Sequence, residues 1–181
     1  MANTNAPFGL MPILPILHRQ EVRLTAALGA AVYHQDPLVQ VAAGTWEIAT
    51  AGNANAIGGV VIDLFDSNGV PVHYAPAGVT GYTAVVADDP DQYFVAQDDG
   101  DTTQLALTDE GANVELIAGS GGSTTTGLSS WMVDSSSSGA DASGQAKLIR
   151  QYPGIDNAIG AYCRWIIKIN YHLKRHAVAG V

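Results

Sequence analysis

The stretch Ala161-Tyr162-Cys163-Arg164-Trp165-Ile166-Ile167-Lys168-Ile169-Asn170-Tyr171-His172 reads as a β-strand, and the reading of the fold starts there. Ala161, Cys163, Trp165, Ile167, Ile169 and Tyr171 are apolar and alternate with the mostly polar Tyr162, Arg164, Ile166, Lys168, Asn170 and His172. A period of two puts the first set on one face of a strand, whereas a helix would scatter it around the circumference. Lys147–Gln151 is the expected neighbour, with Pro153-Gly154 and the stretch from Asp156 to Gly160 turning the chain between them.

Upstream signals agree. Gly58–Phe65 runs into Asp66-Ser67-Asn68-Gly69 and then Val70–Tyr74, and Asn-Gly between two β-branched runs is a strong hairpin signal. Pro71 puts the second arm at a sheet edge or among its first residues. Thr83–Ala87, Tyr93–Gln97 and Asn113–Ala118 are further short apolar runs, and Leu105–Glu110 has room for one helical turn. Gly119–Thr126 and Ser135–Gly139 read as polar loops. The expected fold is all-β, a sandwich or small barrel of short, mainly antiparallel strands with long Gly/Ser loops.

Residues 1–23 read differently, as an extended N-terminal arm ahead of one β-rich domain over 24–181. Pro7, Pro12 and Pro15 fall among Phe8, Leu10, Met11, Ile13, Leu14, Ile16 and Leu17. Prolines at that density block helix and central-strand pairing. The segment is too apolar to be left in water, so it lies along its own domain or along a neighbour. Pro7, Phe8, Leu10, Pro12, Ile13, Pro15 and Ile16 are the candidate partner-binding residues.

Charge is unevenly laid out. The 181 residues carry 8 Lys and Arg against 17 Asp and Glu, a net charge of -9. Residues 24–146 hold 15 acids and no base, while the chain from Lys147 onward holds six bases and one acid. Phosphate contacts need Lys and Arg, so the middle of the chain is unsuited to nucleic acid. No apolar run approaches the ~18 residues of a membrane span. The opening Met-Ala-Asn-Thr-Asn-Ala-Pro lacks the basic start and apolar core of a signal peptide, which argues against the usual secretory route and fits a soluble chain made in a cytoplasm.

No catalytic pattern emerges, and the reading is a protein that is not an enzyme and needs neither cofactor nor metal. Asp88, Asp89, Asp91, Asp98, Asp99 and Asp101 miss the calcium-loop spacing and read as solvated turns. His172 and His176 sit four apart, but beside Lys174 and Arg175, and read as a frayed basic end. Gly119-Ser120-Gly121-Gly122 lacks the lysine of a phosphate loop, and no Gly-x-Ser-x-Gly occurs. The single Cys163 excludes an internal disulfide and, on the apolar strand face, reads as an inert thiol.

Three segments in order resemble a known family. Ala2-Asn3-Thr4-Asn5-Ala6-Pro7-Phe8-Gly9-Leu10-Met11-Pro12 looks like its opening. Val86-Ala87-Asp88-Asp89-Pro90-Asp91-Gln92-Tyr93-Phe94-Val95-Ala96-Gln97-Asp98 is similar to its acidic central motif. Asp156-Asn157-Ala158-Ile159-Gly160, then Trp165 to His172, is similar to its close. The family is that of capsid decoration, or cement, proteins of tailed bacteriophages, encoded beside the major capsid protein. The resemblance implies a structural virion protein on the outer surface of the head, made in the host bacterial cytoplasm. Its implied partners are the major capsid protein, whose subunits it would bridge, and neighbouring copies of itself as dimer or trimer. On this reading the acidic middle faces solvent and the basic close faces an acidic capsid surface. A tail-associated or fibre module binding host glycans is the alternative that shares a β fold and Gly/Ser loops.

Overall fold

The computed structural model describes residues 3–52, 55–139, 142 and 144–175. Among these the chain forms thirteen strands, in the order β1 (Met11–Pro12), β2 (Arg19–Arg23), β3 (Val32–Tyr33), β4 (Pro37–Gln40), β5 (Trp46–Ile48), β6 (Gly59–Phe65), β7 (Tyr74–Ala75), β8 (Thr83–Ala87), β9 (Tyr93–Gln97), β10 (Asn113–Ile117), β11 (Met132–Gly139), β12 (Ala146–Gln151) and β13 (Arg164–Ile169). The only described helix is a 3-10 turn, Leu107–Asp109, inside the segment expected to make one. The fold is all-β, with every named strand pair antiparallel.

Two sheets carry the structure. One has the order β1-β9-β13-β12-β10-β11, the other β2-β8-β6-β4-β5, and β3 and β7 form a separate ribbon. β13 is central and pairs with β12 on one side and β9 on the other, and Ile166, on the face away from Trp165 and Ile167, is buried as well. Trp165, Ile167 and Ile169 are buried in the core between the sheets with Phe94, Leu116, Val133 and Leu148. Burying each such side chain stabilises the fold by roughly 1.5–3 kcal/mol.

Successive residues of β6 serve different layers. Val60 packs in the core between the sheets, and Val61 and Leu64 in a second core with Trp46, Leu38, Ala84 and Val86. The five-stranded sheet is thus covered on both faces and curls, so that Leu24, just past β2, bridges Trp46 of β5. The other sheet curls likewise: Val133 of β11 bridges Asp98, just past β9.

Several local expectations change on folding. The Asn68-Gly69 turn forms, with Gly69 at φ 77°, but the return arm pairs only briefly with β6 before β7 leaves to join β3. Ser135–Gly139, expected as a loop, belongs to strand β11 at the edge of its sheet. Its hydroxyls find acceptors on the structure: Ser135 Oγ donates to Asp99 Oδ1 at 2.7 Å and Ser138 Oγ to Asp109 Oδ1 at 2.9 Å. His172, read as a frayed end, is fully buried, and its Nδ1 accepts from Lys174 N at 3.1 Å. Burial, with Arg175 and Lys174 close by, lowers its pKa to about 4, so the ring is neutral. His176 lies outside the described residues.

Candidate docking surface: the N-terminal arm and its clasp

The arm lies along its own domain. Asn3 Nδ2 donates to Ala158 O and Ala161 O, and its Oδ1 accepts from Ala158 N. Leu10 N donates to Gln35 O at 3.0 Å, and the Leu10 side chain is fully buried in the core. Met11 and Pro12 then add an edge strand to β9, opposite Val95 and Phe94. Further on, β2 adds an edge strand to β8. The arm therefore crosses from one sheet to the other.

Buried polar side chains hold it there, and most of them come from the central acidic motif. Gln97 accepts from Ala6 N and donates to Thr4 O and Tyr162 O. Gln92 donates to Ile13 O at 2.7 Å and accepts from Leu17 N at 2.9 Å. One amide thus pins both ends of the loop 13–17, standing in for the strand partner that a proline-rich segment cannot have. Gln92→Ala should cost about 1–2 kcal/mol by leaving those groups without their partner. Amide exchange at Leu17, read with the denaturant midpoint, tests this; unchanged exchange there would refute the pinning role.

Asp88, expected as a solvated turn acid, is fully buried and is the third pin. His18 Nδ1 lies 2.5 Å from its Oδ1, and Lys174 Nζ bonds its Oδ2. Burial is the largest influence on this carboxyl and pushes it up, but the bonds and charges of Lys174 and His18 together hold it below the ordinary carboxylate range. Asp98 is also buried, not solvated; it accepts from Tyr162 N and Gly100 N, and burial raises its pKa to about 6. Asp66, Asp89 and Asp101 do take the turn role, each accepting from backbone N–H groups two to four residues on.

Of the seven candidate residues, Leu10 is in the core, and Pro7, Phe8, Pro12, Ile13 and Ile16 are half-buried against the domain. Pro15 is exposed, after a cis Leu14–Pro15 bond. The other apolar side chains turned outward lie outside those seven: Leu14 is 78% exposed, Leu17 54% and Met11 37%. A groove of about 390 Å³ runs beside Met11 and Leu14 over Ile62, Gln35 and Leu128, and an adjoining hollow lined by Leu14, Pro15 and Ile16 reaches Arg19.

The basic close of the chain is largely used internally. Arg164 pairs with Asp156 at 2.6 Å, Lys168 and Arg175 with Asp91, and Lys174 with Asp88. The partner cations hold Asp91 and Asp156 below the usual carboxylate range. Among the described residues, Arg19, Arg23, Lys147 and Arg150 make no ion pair. The expectation of a basic attachment face at the C-terminal end thus meets a stretch whose charge is mostly compensated within the fold.

Two other clusters have a chemical character. Carboxylate oxygens of Asp99, Asp101 and Asp134 lie within 4.8 Å of one another, and the Ser135 hydroxyl donates to Asp99 and Asp101. A cavity of about 310 Å³ beside Trp131 and Gly119–Gly122 reaches the buried Asp36, whose pKa burial raises to about 7. Cys163 is fully buried, and its thiol is pushed up to about 11 by burial and by the Asp98 charge, so it is no nucleophile at neutral pH. No helix among the described residues is long and apolar enough to cross a membrane. No protein-family model, curated protein or solved structure matches the chain.

Proposed function

We propose that this protein is a capsid decoration protein of a tailed bacteriophage, bound to the outer surface of the head and bridging major capsid protein subunits. The observation that carries the reading is the clasped arm, an apolar, proline-rich segment pinned by buried side chains so that Leu14 and Leu17 face outward. Rigid presentation of apolar side chains lowers the ordering cost of docking, which a free arm would meet in full. The resemblance supports the same reading, because Asp88, Gln92, Gln97 and Asp98 of the central motif are residues that hold the arm or the strand end beneath it. Its role is structural rather than catalytic, and its partners are the major capsid protein and neighbouring copies of itself. An acidic body would keep decorated particles apart in solution.

Mixed with undecorated heads assembled from the major capsid protein encoded with it, the protein is expected to co-sediment at a fixed ratio to capsomers. An electron-microscopy reconstruction should then show it on the outer shell in many symmetric copies. Failure to co-sediment at micromolar concentration refutes the reading, as would a location only at the tail, which belongs to a glycan-binding adsorption module.

A further inference from the structure

Resting on the decoration reading, we propose that the groove beside the Ile13–Leu17 loop seats one extended, apolar segment of the shell protein that carries a carboxylate at the Arg19 end. Two observations converge. Leu14 and Ile16 form a ridge shared by both parts of the groove, and Leu14 is exposed to solvent in the free chain. Arg19 borders the same groove and makes no ion pair among the described residues, whereas four of the six bases from Lys147 onward are paired internally.

Each feature selects part of the occupant. The ridge takes an apolar strip, because burial of apolar surface drives association and Leu14 has area to offer. The unpaired guanidinium takes a carboxylate, to which it can donate two parallel hydrogen bonds. Glu21, two residues past Arg19 on β2, disfavours a second carboxylate further along that strand, so the acidic end is placed at Arg19.

The test uses the full chain and undecorated heads, with binding followed by co-sedimentation across a salt series. Leu14→Asp is expected to weaken binding at least 30-fold. Arg19→Glu should weaken it at least 10-fold and flatten its salt dependence, since one attractive pair becomes repulsive. Lys147→Glu reverses an exposed base on β12 in the other sheet that makes no ion pair among the described residues, and should bind within 2-fold of the wild type. All three sites are exposed, and equal thermal midpoints would show that the variants fold. Wild-type binding by Leu14→Asp and Arg19→Glu overturns the groove while leaving decoration intact. So does equal damage from Lys147→Glu, which would mean that overall charge alone governs attachment. If the wild type itself ignores the heads, the decoration reading falls and the groove falls with it.

Discussion

Gly9→Val is expected to destabilise the protein by about 4 kcal/mol, adding the cost of a β-branched residue at positive φ to that of overpacking. Gly9 has φ 81°, and a Cβ there would lie 2.5 Å from Gln35 O and 2.5 Å from Ser129 Cβ. Neither neighbour is the free end of a flexible side chain, so the arm must lift to make room. Lifting it withdraws Leu10 from the core and removes the bond from Leu10 N to Gln35 O. Gly44 supplies the control. It sits at φ 76° in the Val41–Thr45 turn with nothing within 4 Å of its Cβ position. Gly44→Val should therefore show only the conformational part, about 1–2 kcal/mol. Denaturant midpoints for the two variants measure the difference; equal shifts would mean that the arm is not seated as described. The same geometry makes deletion of residues 2–17 a poor probe of docking, because it removes a core side chain along with the exposed ridge.

The second large effect is a pH-dependent one at Asp36. This carboxyl is 1% exposed and accepts from Tyr33 N at 2.7 Å, yet burial outweighs its hydrogen bonds and raises its pKa from 3.8 to about 7. A folded pKa above the unfolded one means that the folded state holds the proton more tightly. Its contribution is therefore fully present below about pH 4 and is lost as pH rises through 7. Asp36→Asn removes the titration. At pH 8 the variant should be more stable than the wild type by on the order of 3 kcal/mol, and near pH 4 the two should be close. His172 runs the opposite way, since its folded pKa of about 4 lies below 6.5 and its contribution is lost as pH falls between those values. The difference between variant and wild type cancels His172 and isolates Asp36. Unfolding free energies at pH 4, 6 and 8 decide it; a pH-independent difference would refute a protonated Asp36.

Much of the strand content was legible because alternation is a local property. The runs at Thr83–Ala87, Tyr93–Gln97 and Asn113–Ala118 became β8, β9 and β10, and the neighbour expected for β13 pairs with it. Trp165 and Cys163 share the apolar face that the alternation marks, and both are fully buried. The Ser-rich edge strand was not legible, because serine carries no alternation signal. Its strand character comes from pairing with β10 and from carboxylates more than twenty residues away.

The candidate site shows the same division more sharply. An apolar, proline-broken arm is visible in composition, but which of its faces is buried depends on Gln92, Gln97 and Gln35, all distant in sequence. Asp88 looks no different from Asp89 in the sequence; only the approach of His18, 70 residues before it, and Lys174, 86 residues after it, makes one fully buried and leaves the other half-buried. The charge layout likewise read as an acidic body and a basic attachment end until the close of the chain was seen bonded to Asp88, Asp91 and Asp156. From sequence alone the protein was determined to be an all-β chain with an apolar arm and separated charge, since periodicity, proline and charge act through near neighbours. Tertiary structure alone decided where the arm lies, which acids are interior and which arginine remains unpaired at the groove. A polar group can be buried only where a partner meets it, and these partners come from opposite ends of the chain.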